Sequence, residues 1–209
     1  MITLNELKKK CDEFEKEEGR SDFYYLALEI KDKYPIHATV IILATWNIGR
    51  FRYMLSDPQN LSDLKKALES CMPLFRKLSN VGFKTANFDK LREDIKSVYS
   101  TLSKVNGVEY TGASKIFHLF CPNLIVMWDS YIRKEYSKRK YRDTYKIKIQ
   151  AEKPTAEDFL NFQKLMQKIF GHIKWDNKRK TLPKAIDEYN YVTYTLPQLK
   201  KKKAKNCKK

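Results

Sequence analysis

A chain of 209 residues, 42% hydrophobic and 13% aromatic, can bury the core of one domain or of two small lobes, which excludes a disordered chain. Lysine and arginine number 42 against 25 acidic residues, so the net charge is +17 and favours an anionic partner such as nucleic acid. Seven of the lysines lie in the last ten residues, so part of this excess belongs to a basic tail.

The cysteine and histidine spacings exclude the usual zinc and iron–sulfur motifs, because no C-x-x-C pair and no histidine pair at ligand spacing occurs. We expect free thiols in a reducing compartment, and no metal ion or cofactor. The N-terminus has no apolar signal region, and the longest apolar run, 38–46, is too short to cross a membrane. We therefore expect an intracellular protein, cytoplasmic or associated with DNA. The residues concerned are Cys11, Cys71, Cys121, Cys207, His37, His118 and His172.

The first quarter of the chain predicts three helices. An apolar stripe marks the first over 4–14, and Ser21 is a candidate N-cap for a second over 21–34. The run 36–51 contains β-branched residues typical of a buried strand, but its length without a turn signal favours a buried helix. Residues 50–53 alternate arginines with aromatics, a pattern that suits phosphate contact and base stacking, or a solvated helix end.

The middle of the chain predicts further amphipathic helices. Apolar spacing indicates one helix over 61–80, capped by Ser62 and kinked or divided by Pro73, and another over 88–105. A helix with many cations is predicted over 130–141, followed by a polar loop.

The C-terminal part predicts two more helices and a tail. Thr155 and Asp158 indicate a capping box, and Pro183 occupies the first turn of a last helix. The periodicity gives about eight or nine helices and no strand pattern, so we predict an all-α fold. We expect a single domain over 1–198 and a disordered lysine-rich tail over 199–209.

The most informative stretch, 102–133, combines a helix end, a tight turn, a second helix and an aspartate at the start of another helix. The turn is an Asn-Gly-Val sequence at 106–108, where glycine tolerates positive φ. Gly112 and Ala113 are small, so two helices can approach closely there.

This stretch resembles the helix-hairpin-helix element of the DNA glycosylase superfamily, in which a glycine turn precedes a helix that carries an alanine, here Ala113. In that family an aspartate follows, with an apolar residue and an arginine after it, and Asp129, Ile132 and Arg133 stand in that arrangement. The resemblance implies two helical lobes with a cleft between them. It also implies that the hairpin, over about 102–119, grips a DNA phosphate through turn N–H groups.

Two positions depart from the family pattern. The second hairpin glycine is replaced by Glu109, whose charge would repel a phosphate unless Lys104 and Lys115 offset it. With Ala113 aligned, the lysine that forms a Schiff base in bifunctional members is replaced by Thr111. Lys115 lies one helical turn further on and would have to reach back to take that role. The resemblance therefore implies a monofunctional enzyme.

Asp129 is the predicted catalytic carboxylate, because cleavage of an N-glycosidic bond needs a negative charge beside the oxocarbenium ion and a group that activates water. The alternative is that Asp129 only caps the helix that follows it. The resemblance also places Trp46 and Asn47 near the substrate segment. Trp46 and Trp128 are predicted to stack on a base, with packing in the core as the alternative.

We therefore predict a DNA-binding repair protein, a monofunctional DNA N-glycosylase that removes a flipped, damaged base. The alternatives are a non-catalytic nucleic-acid-binding module on the same scaffold and a protein-interaction scaffold. We expect a monomer that binds double-stranded DNA, with single-stranded DNA as the other candidate. The predicted DNA-binding residues are Arg50, Arg52, Lys104, Asn106, Gly107, Val108, Glu109, Thr111, Lys115 and Arg133.

Overall fold

The computed structural model describes residues 2–206, whose regular secondary structure is entirely helical, which confirms the all-α prediction. None of the helices in this range combines the length and the apolar character needed to cross a bilayer. A π-helical turn, Tyr191–Thr195, joins the last two α-helices without a break. The α-helices are α1 (Leu4–Glu17), α2 (Ser21–Ile30), α3 (Pro35–Trp46), α4 (Ile48–Met54), α5 (Pro58–Leu78), α6 (Arg92–Ser103), α7 (Glu109–Phe120), α8 (Ser130–Tyr136), α9 (Arg139–Tyr145), α10 (Ala156–Phe170), α11 (Leu182–Asn190) and α12 (Leu196–Asn206).

Two predicted helices are each divided in the structure. The run 36–51 is helical as predicted, but Asn47 leaves the helical conformation (φ −135°, ψ 23°) and separates α3 from α4. Its side-chain amide donates hydrogen bonds to the carbonyl oxygens of Gly107 and Val108, a distant pairing that local periodicity does not reveal. Helices α8 and α9 likewise divide the helix predicted over 130–141.

The capping predictions have mixed outcomes. Helix α5 begins earlier than predicted, because Asp57 rather than Ser62 caps it through a hydrogen bond from a first-turn N–H group. The same helix runs through Pro73 as one element. The capping box of Thr155 and Asp158 is confirmed at the start of α10.

The prediction of a disordered tail over 199–209 is wrong for most of that segment. Helix α12 runs through Asn206, and the last three residues of the predicted tail lie outside the described part of the chain. Lysine has a high helix propensity, and α12 continues directly from the π-helical turn, so no new nucleation is needed. The Lys200 ammonium also pairs with Glu17 on α1 at 2.8 Å.

An aromatic cluster fixes the segment that leads to Asp129. Tyr99 stacks on Phe159 with ring centroids 4.2 Å apart, and Trp128 meets Phe159 edge-on at 5.1 Å. Trp128 is 1% exposed, and its indole N–H donates to the carbonyl of Tyr110 at 3.2 Å. Because Trp128 belongs to this core, its rings offer no accessible face to a base, contrary to the stacking role predicted for it.

Helix α7 packs closely on α3, as predicted from the small residues Gly112 and Ala113. This close packing depends on Gly112. A Cβ atom at Gly112 would lie 2.8 Å from Nδ2 of Asn47 and 3.0 Å from Cδ2 of Leu43. Helix α7 also packs on α6, and α11 packs on α1. Helix α7, the start of α8 and α11 all contribute residues to the lining of one cavity.

Candidate active site

A surface groove of about 760 Å³ meets a small inner cavity of about 20 Å³, which has room for about one water-sized group. The groove lies between the α3–α4 junction, the N-terminal ends of α7 and α8, the π-helical turn and α12. Lys115 and Asp129, the two catalytic candidates of the sequence, are therefore brought together where groove and cavity meet. The side chains that line both spaces are Trp46, Lys115, Asp129 and Tyr191.

The Lys115 side chain is partly buried on α7, and its amine forms no hydrogen bond or ion pair with any group in residues 2–206. Burial lowers the pKa of Lys115 below its ordinary value, although the negative charges of Asp187 and Asp129 act in the opposite direction. A lowered pKa increases the fraction of neutral amine at a given pH. Neutral amine is the nucleophilic form of lysine.

Asp129 caps α8, which is the role that the sequence analysis gave as the alternative to catalysis. Its Oδ1 accepts hydrogen bonds from the N–H groups of Tyr131 and Ile132 at 2.8 and 2.9 Å. Its Oδ2 accepts a hydrogen bond from the hydroxyl of Thr195 at 2.6 Å. These three bonds hold the carboxylate in one orientation at the cavity, so the capping role and an electrostatic role are compatible.

Helix α11 and the π-helical turn supply four site residues that the sequence analysis missed: Lys184, Asp187, Tyr191 and Thr195. The first three line the inner cavity, and Thr195 lines the groove. Their spacing of three, four and four residues puts them on one face of a continuous helical segment. A row of polar residues at this spacing in an otherwise buried helix could have indicated them from the sequence. Short π-helical segments are frequent at functional sites.

His118 supports the wall of the cavity through Tyr24. The Nδ1 atom of His118 lies 2.5 Å from the carbonyl oxygen of Ile125, which can only accept a hydrogen bond, so Nδ1 carries the proton. Nε2 then accepts a hydrogen bond from the Tyr24 hydroxyl at 2.7 Å. Burial lowers the pKa of His118 to about 4, so its ring is neutral near pH 7.

The turn between α6 and α7 packs tightly against the end of α4. Gly107 has a φ of +82°, and a Cβ atom there would lie 2.8 Å from the backbone N and from Cβ of Met54. The predicted need for glycine at this turn is confirmed. Glu109, where the resembled family has its second glycine, also has a positive φ of +52°. The backbone therefore adopts a conformation that favours glycine at both positions.

The turn N–H groups are not all free to bind an anion. Those of Val108 and Glu109, which were predicted to face a phosphate, donate instead to the carbonyl of Val105 at 3.1 and 3.3 Å. The next two N–H groups, of Tyr110 and Thr111, have no hydrogen-bond partner within residues 2–206 and stand at the positive end of α7. Both residues line the groove. An anion would thus meet the first turn of α7 rather than residues 108–109.

Arg133 places a largely buried positive charge beside the groove. It is 6% exposed, and its guanidinium donates to the carbonyl of Ala151 at 3.1 Å and to the hydroxyl of Thr111 at 3.3 Å. The guanidinium carbon also lies 5.3 Å from the centroid of the Trp128 ring. No carboxylate within the described part of the chain forms an ion pair with Arg133, so its positive charge is not locally neutralised.

Two further cations stand at the surface of the groove. Arg50 pairs with Glu109 at 3.2 Å, so the carboxylate at the unusual hairpin position occupies this arginine. Lys202 of α12 lies 5.3 Å from the centroid of the Tyr131 ring and was not among the predicted residues. The basic C-terminal segment thereby forms one wall of the groove.

Four predicted DNA-binding residues are not among the groove residues: Arg52, Lys104, Asn106 and Gly107, the last of which packs against Met54. Arg52 is exposed and lies over the ring of Tyr53, with 5.0 Å to its centroid. Lys104 is exposed at the end of α6, and Asn106 donates a hydrogen bond to Asn60 at 3.3 Å. Within residues 2–206 no group of three histidine, cysteine or acidic side chains has the spacing to hold a metal ion.

Comparisons with protein-family models, with curated proteins and with solved structures find no match for this chain.

Proposed function

We propose that this protein is a DNA N-glycosylase that removes a flipped, damaged base, and that Lys115 is its nucleophile. One observation carries the proposal. The Lys115 amine, with a lowered pKa and no bonded partner in the described residues, shares the junction of groove and cavity with the oriented carboxylate of Asp129. Lysines with a lowered pKa in a cleft beside a carboxylate are candidates for covalent catalysis.

In the proposed reaction the lone pair of neutral Lys115 forms a bond to C1′ of the nucleotide. The N-glycosidic bond breaks, its electron pair goes to the base, and the base takes up a proton. The new ammonium loses a proton to a carboxylate, and the C1′–O4′ bond then opens with a proton going to O4′, which leaves a Schiff base. Asp129 stabilises the positive charge that develops at C1′. This route makes the enzyme bifunctional, whereas the sequence alone favours a monofunctional enzyme with Asp129 activating water.

The lining of the groove supports a nucleic-acid substrate. Cations outnumber carboxylates along it, and aromatic rings stand between them, a combination that suits phosphate binding and base stacking. The cations are Arg20, Arg50, Lys115, Arg133 and Lys202, the carboxylates are Glu109, Asp129 and Glu152, and the aromatic residues are Trp46, Tyr110, Tyr131 and Tyr191.

The volumes define where a base would lie. The inner cavity is too small for a nucleobase, whereas the groove is large enough for a nucleotide. A flipped base would therefore occupy the groove against the partly buried ring of Trp46. In this proposal α6, the Gly107 turn and α7 form the helix-hairpin-helix element, the groove is the cleft between two helical lobes, and a monomer binds double-stranded DNA.

Two observations favour the alternative of a non-catalytic nucleic-acid-binding module. Both oxygens of Asp129 already accept hydrogen bonds, and Glu109 puts a negative charge at the hairpin. On this alternative the groove binds a strand and performs no chemistry.

Base release separates the two functions. Wild type and an Asp129→Asn variant would be incubated with duplexes that carry oxidised, alkylated or deaminated bases, and released bases would be quantified by mass spectrometry. Asparagine keeps the size of the side chain and one capping oxygen, so the fold should survive. We expect release of one class of base by wild type, and a loss of roughly 10²–10³-fold in Asp129→Asn with similar DNA affinity. DNA binding without release of any base would favour the binding module.

A further inference from the structure

The inner cavity holds a second charged pair that the reaction described above does not use. Nζ of Lys184 lies 3.3 Å from Oδ2 of Asp187 and 3.4 Å from Oε1 of Glu188. Lys184 and Asp187 line the cavity together with Lys115, and they are only 5% and 9% exposed. Burial of ions costs several kcal/mol each unless they are paired, and apolar residues of similar size often serve stability as well or better. A charged pair at this position therefore calls for a role other than stability.

Lys184 belongs to a chain of ion pairs on this side of the cavity. Glu188 pairs with Lys180 at 2.6 Å as well as with Lys184, and Lys180 also pairs with Glu15 at 2.9 Å. The cluster thus contains three carboxylates but only two ammonium groups. Burial alone would lower the pKa of Lys184, but the charges of Glu188 and Asp187 outweigh it and raise that pKa, so both lysines are cations. Glu15 is 44% exposed to solvent, so the two ammonium groups serve the two buried carboxylates, and Lys115 is the other amine that lines the cavity.

Asp187 is also the carboxylate at the cavity with acceptor positions to spare. Both oxygens of Asp129 accept hydrogen bonds from the α8 cap and from Thr195. The only hydrogen bond that Asp187 accepts at its side chain within residues 2–206 comes from Lys184. A carboxylate oxygen has two lone pairs, so Asp187 can accept a further proton donor across the cavity.

We propose that Asp187 accepts the proton that Lys115 gives up when it becomes a nucleophile, and that Lys184 holds the Asp187 carboxylate in position. The proton passes from the Lys115 ammonium to a carboxylate oxygen of Asp187, and the lone pair stays on the nitrogen. This inference rests on the proposed function and deepens it, since it names the group that activates the nucleophile. Asp187 and Lys184 act through Lys115 and are positioning residues.

The charges around Lys115 determine the direction in which each substitution should shift its pKa. Asp187 and Lys184 of α11 and Asp129 at the start of α8 line the cavity with Lys115, and Arg20, the residue before α2, lines the groove. The remaining titratable groups of the cavity wall are the phenols of Tyr24 and Tyr191. Removal of the Asp187 charge should lower the pKa of Lys115, whereas removal of the Lys184 charge should raise it. Opposite shifts would show that both charges act on the Lys115 amine.

The experiment measures the pKa of Lys115 without DNA. Wild type, Asp187→Asn, Lys184→Gln and Asp187→Glu would be acetylated with trace reagent from pH 6 to 11, and Lys115 labelling quantified by mass spectrometry. Glu157→Gln is the matched control, since Glu157 forms an ion pair with Arg92 at 2.6 Å away from the cavity. We expect an acid shift of the labelling curve in Asp187→Asn, an alkaline shift in Lys184→Gln, and curves close to wild type in the other two. Circular dichroism would verify folding, and the Asp187→Glu variant tests the assignment if Asp187→Asn does not fold.

A second measurement uses DNA with an abasic site. The acid shift leaves more neutral Lys115 amine in Asp187→Asn, so a faster reaction is expected if Asp187 acts only through its charge. If Asp187 is the proton acceptor, the rate of Schiff-base formation at pH 7 should instead fall by roughly 10²-fold and recover in part in Asp187→Glu. Unchanged labelling curves, or shifts in the same direction for Asp187→Asn and Lys184→Gln, would overturn the role of Asp187. If the opposite shifts are found but wild type forms no Schiff base, the coupling of Asp187 to Lys115 stands and the proposed function fails.

Discussion

The hydroxyl of Thr195 donates a 2.6 Å hydrogen bond to Oδ2 of Asp129, the carboxylate oxygen that the helix cap leaves free. The two residues are far apart in sequence, and the π-helical turn Tyr191–Thr195 brings the threonine to the aspartate. The C-terminal helical segment thereby orients the carboxylate that the proposed reaction needs at C1′.

Replacement of Thr195 by valine tests this orientation. Valine has nearly the same shape, so α8 keeps its cap through Oδ1 while Oδ2 loses its donor. We expect base release to slow by about tenfold, which corresponds to about 1.4 kcal/mol. The measurement is the single-turnover rate of base release. Thr193→Val is the matched control, because the buried hydroxyl of Thr193 has no hydrogen-bond partner among the described residues. Equal rates in both variants would show that Thr195 does not orient Asp129.

Two glycines test the packing of the hairpin. Gly107→Ala would place a Cβ atom 2.8 Å from Met54 and force alanine to a φ of +82°, so we expect a loss of about 2–3 kcal/mol in the free energy of unfolding. Gly49→Ala, within helix α4, meets no atom within 4 Å and should be neutral or stabilising by up to about 1 kcal/mol. Urea denaturation measures both. Similar stabilities for the two variants would contradict the tight turn.

The Glu109→Gln variant tests the charge at the hairpin. Neutral glutamine cannot form the ion pair with Arg50, so the arginine becomes free to contact a phosphate and a repulsive charge is removed. We expect DNA affinity to rise severalfold and the salt slope of log K to steepen by up to ~0.9, one phosphate contact. Binding would be followed by fluorescence anisotropy at several salt concentrations. An unchanged slope would indicate that Arg50 and Glu109 lie outside the DNA contact.

Local sequence signals predicted the helices but not the site as a whole. The structure confirms three features that depend only on neighbours in sequence: the Asn-Gly turn, the small residues at Gly112 and the capping box at Thr155. Asn47 broke a predicted helix because its partners, Gly107 and Val108, are about sixty residues away. No local pattern contains that information.

The cavity residues escaped prediction for the same reason. Lys184 and Asp187 look like an ordinary i, i+3 pair on a helix surface, and only the packing of α11 buries them beside Lys115. Trp128 follows an apolar run and looked available for stacking, yet the same run places it in the core. Asp129 and Lys115 were singled out in the sequence because the family resemblance, rather than periodicity, pointed to them, and their catalytic roles stay a prediction.

Acid should destabilise the protein through His118. Its pKa is about 4 in the folded state and near 6.5 in an unfolded chain, so between these values the unfolded state binds more protons. The contribution of neutral His118 to the free energy of unfolding should therefore be fully present above pH 6.5. The free energy of unfolding should fall by about 3 kcal/mol as the pH drops to 4. Denaturation of wild type and His118→Asn from pH 4 to 7 measures this. Asparagine can still donate to Ile125 but does not titrate, so its profile should be flatter; parallel profiles would contradict the assignment.

Borohydride trapping tests the central claim, that Lys115 is a nucleophile toward DNA. A Schiff base between the protein and an abasic or damaged nucleotide is reduced to a stable amine, and peptide mapping identifies the lysine involved. We predict that wild type is trapped, that the adduct maps to Lys115, and that Lys115→Gln is not trapped although it still binds DNA. Lys202→Gln, which removes another groove lysine, should be trapped like wild type. Absence of trapping in wild type, or an adduct that persists in Lys115→Gln, would contradict the claim.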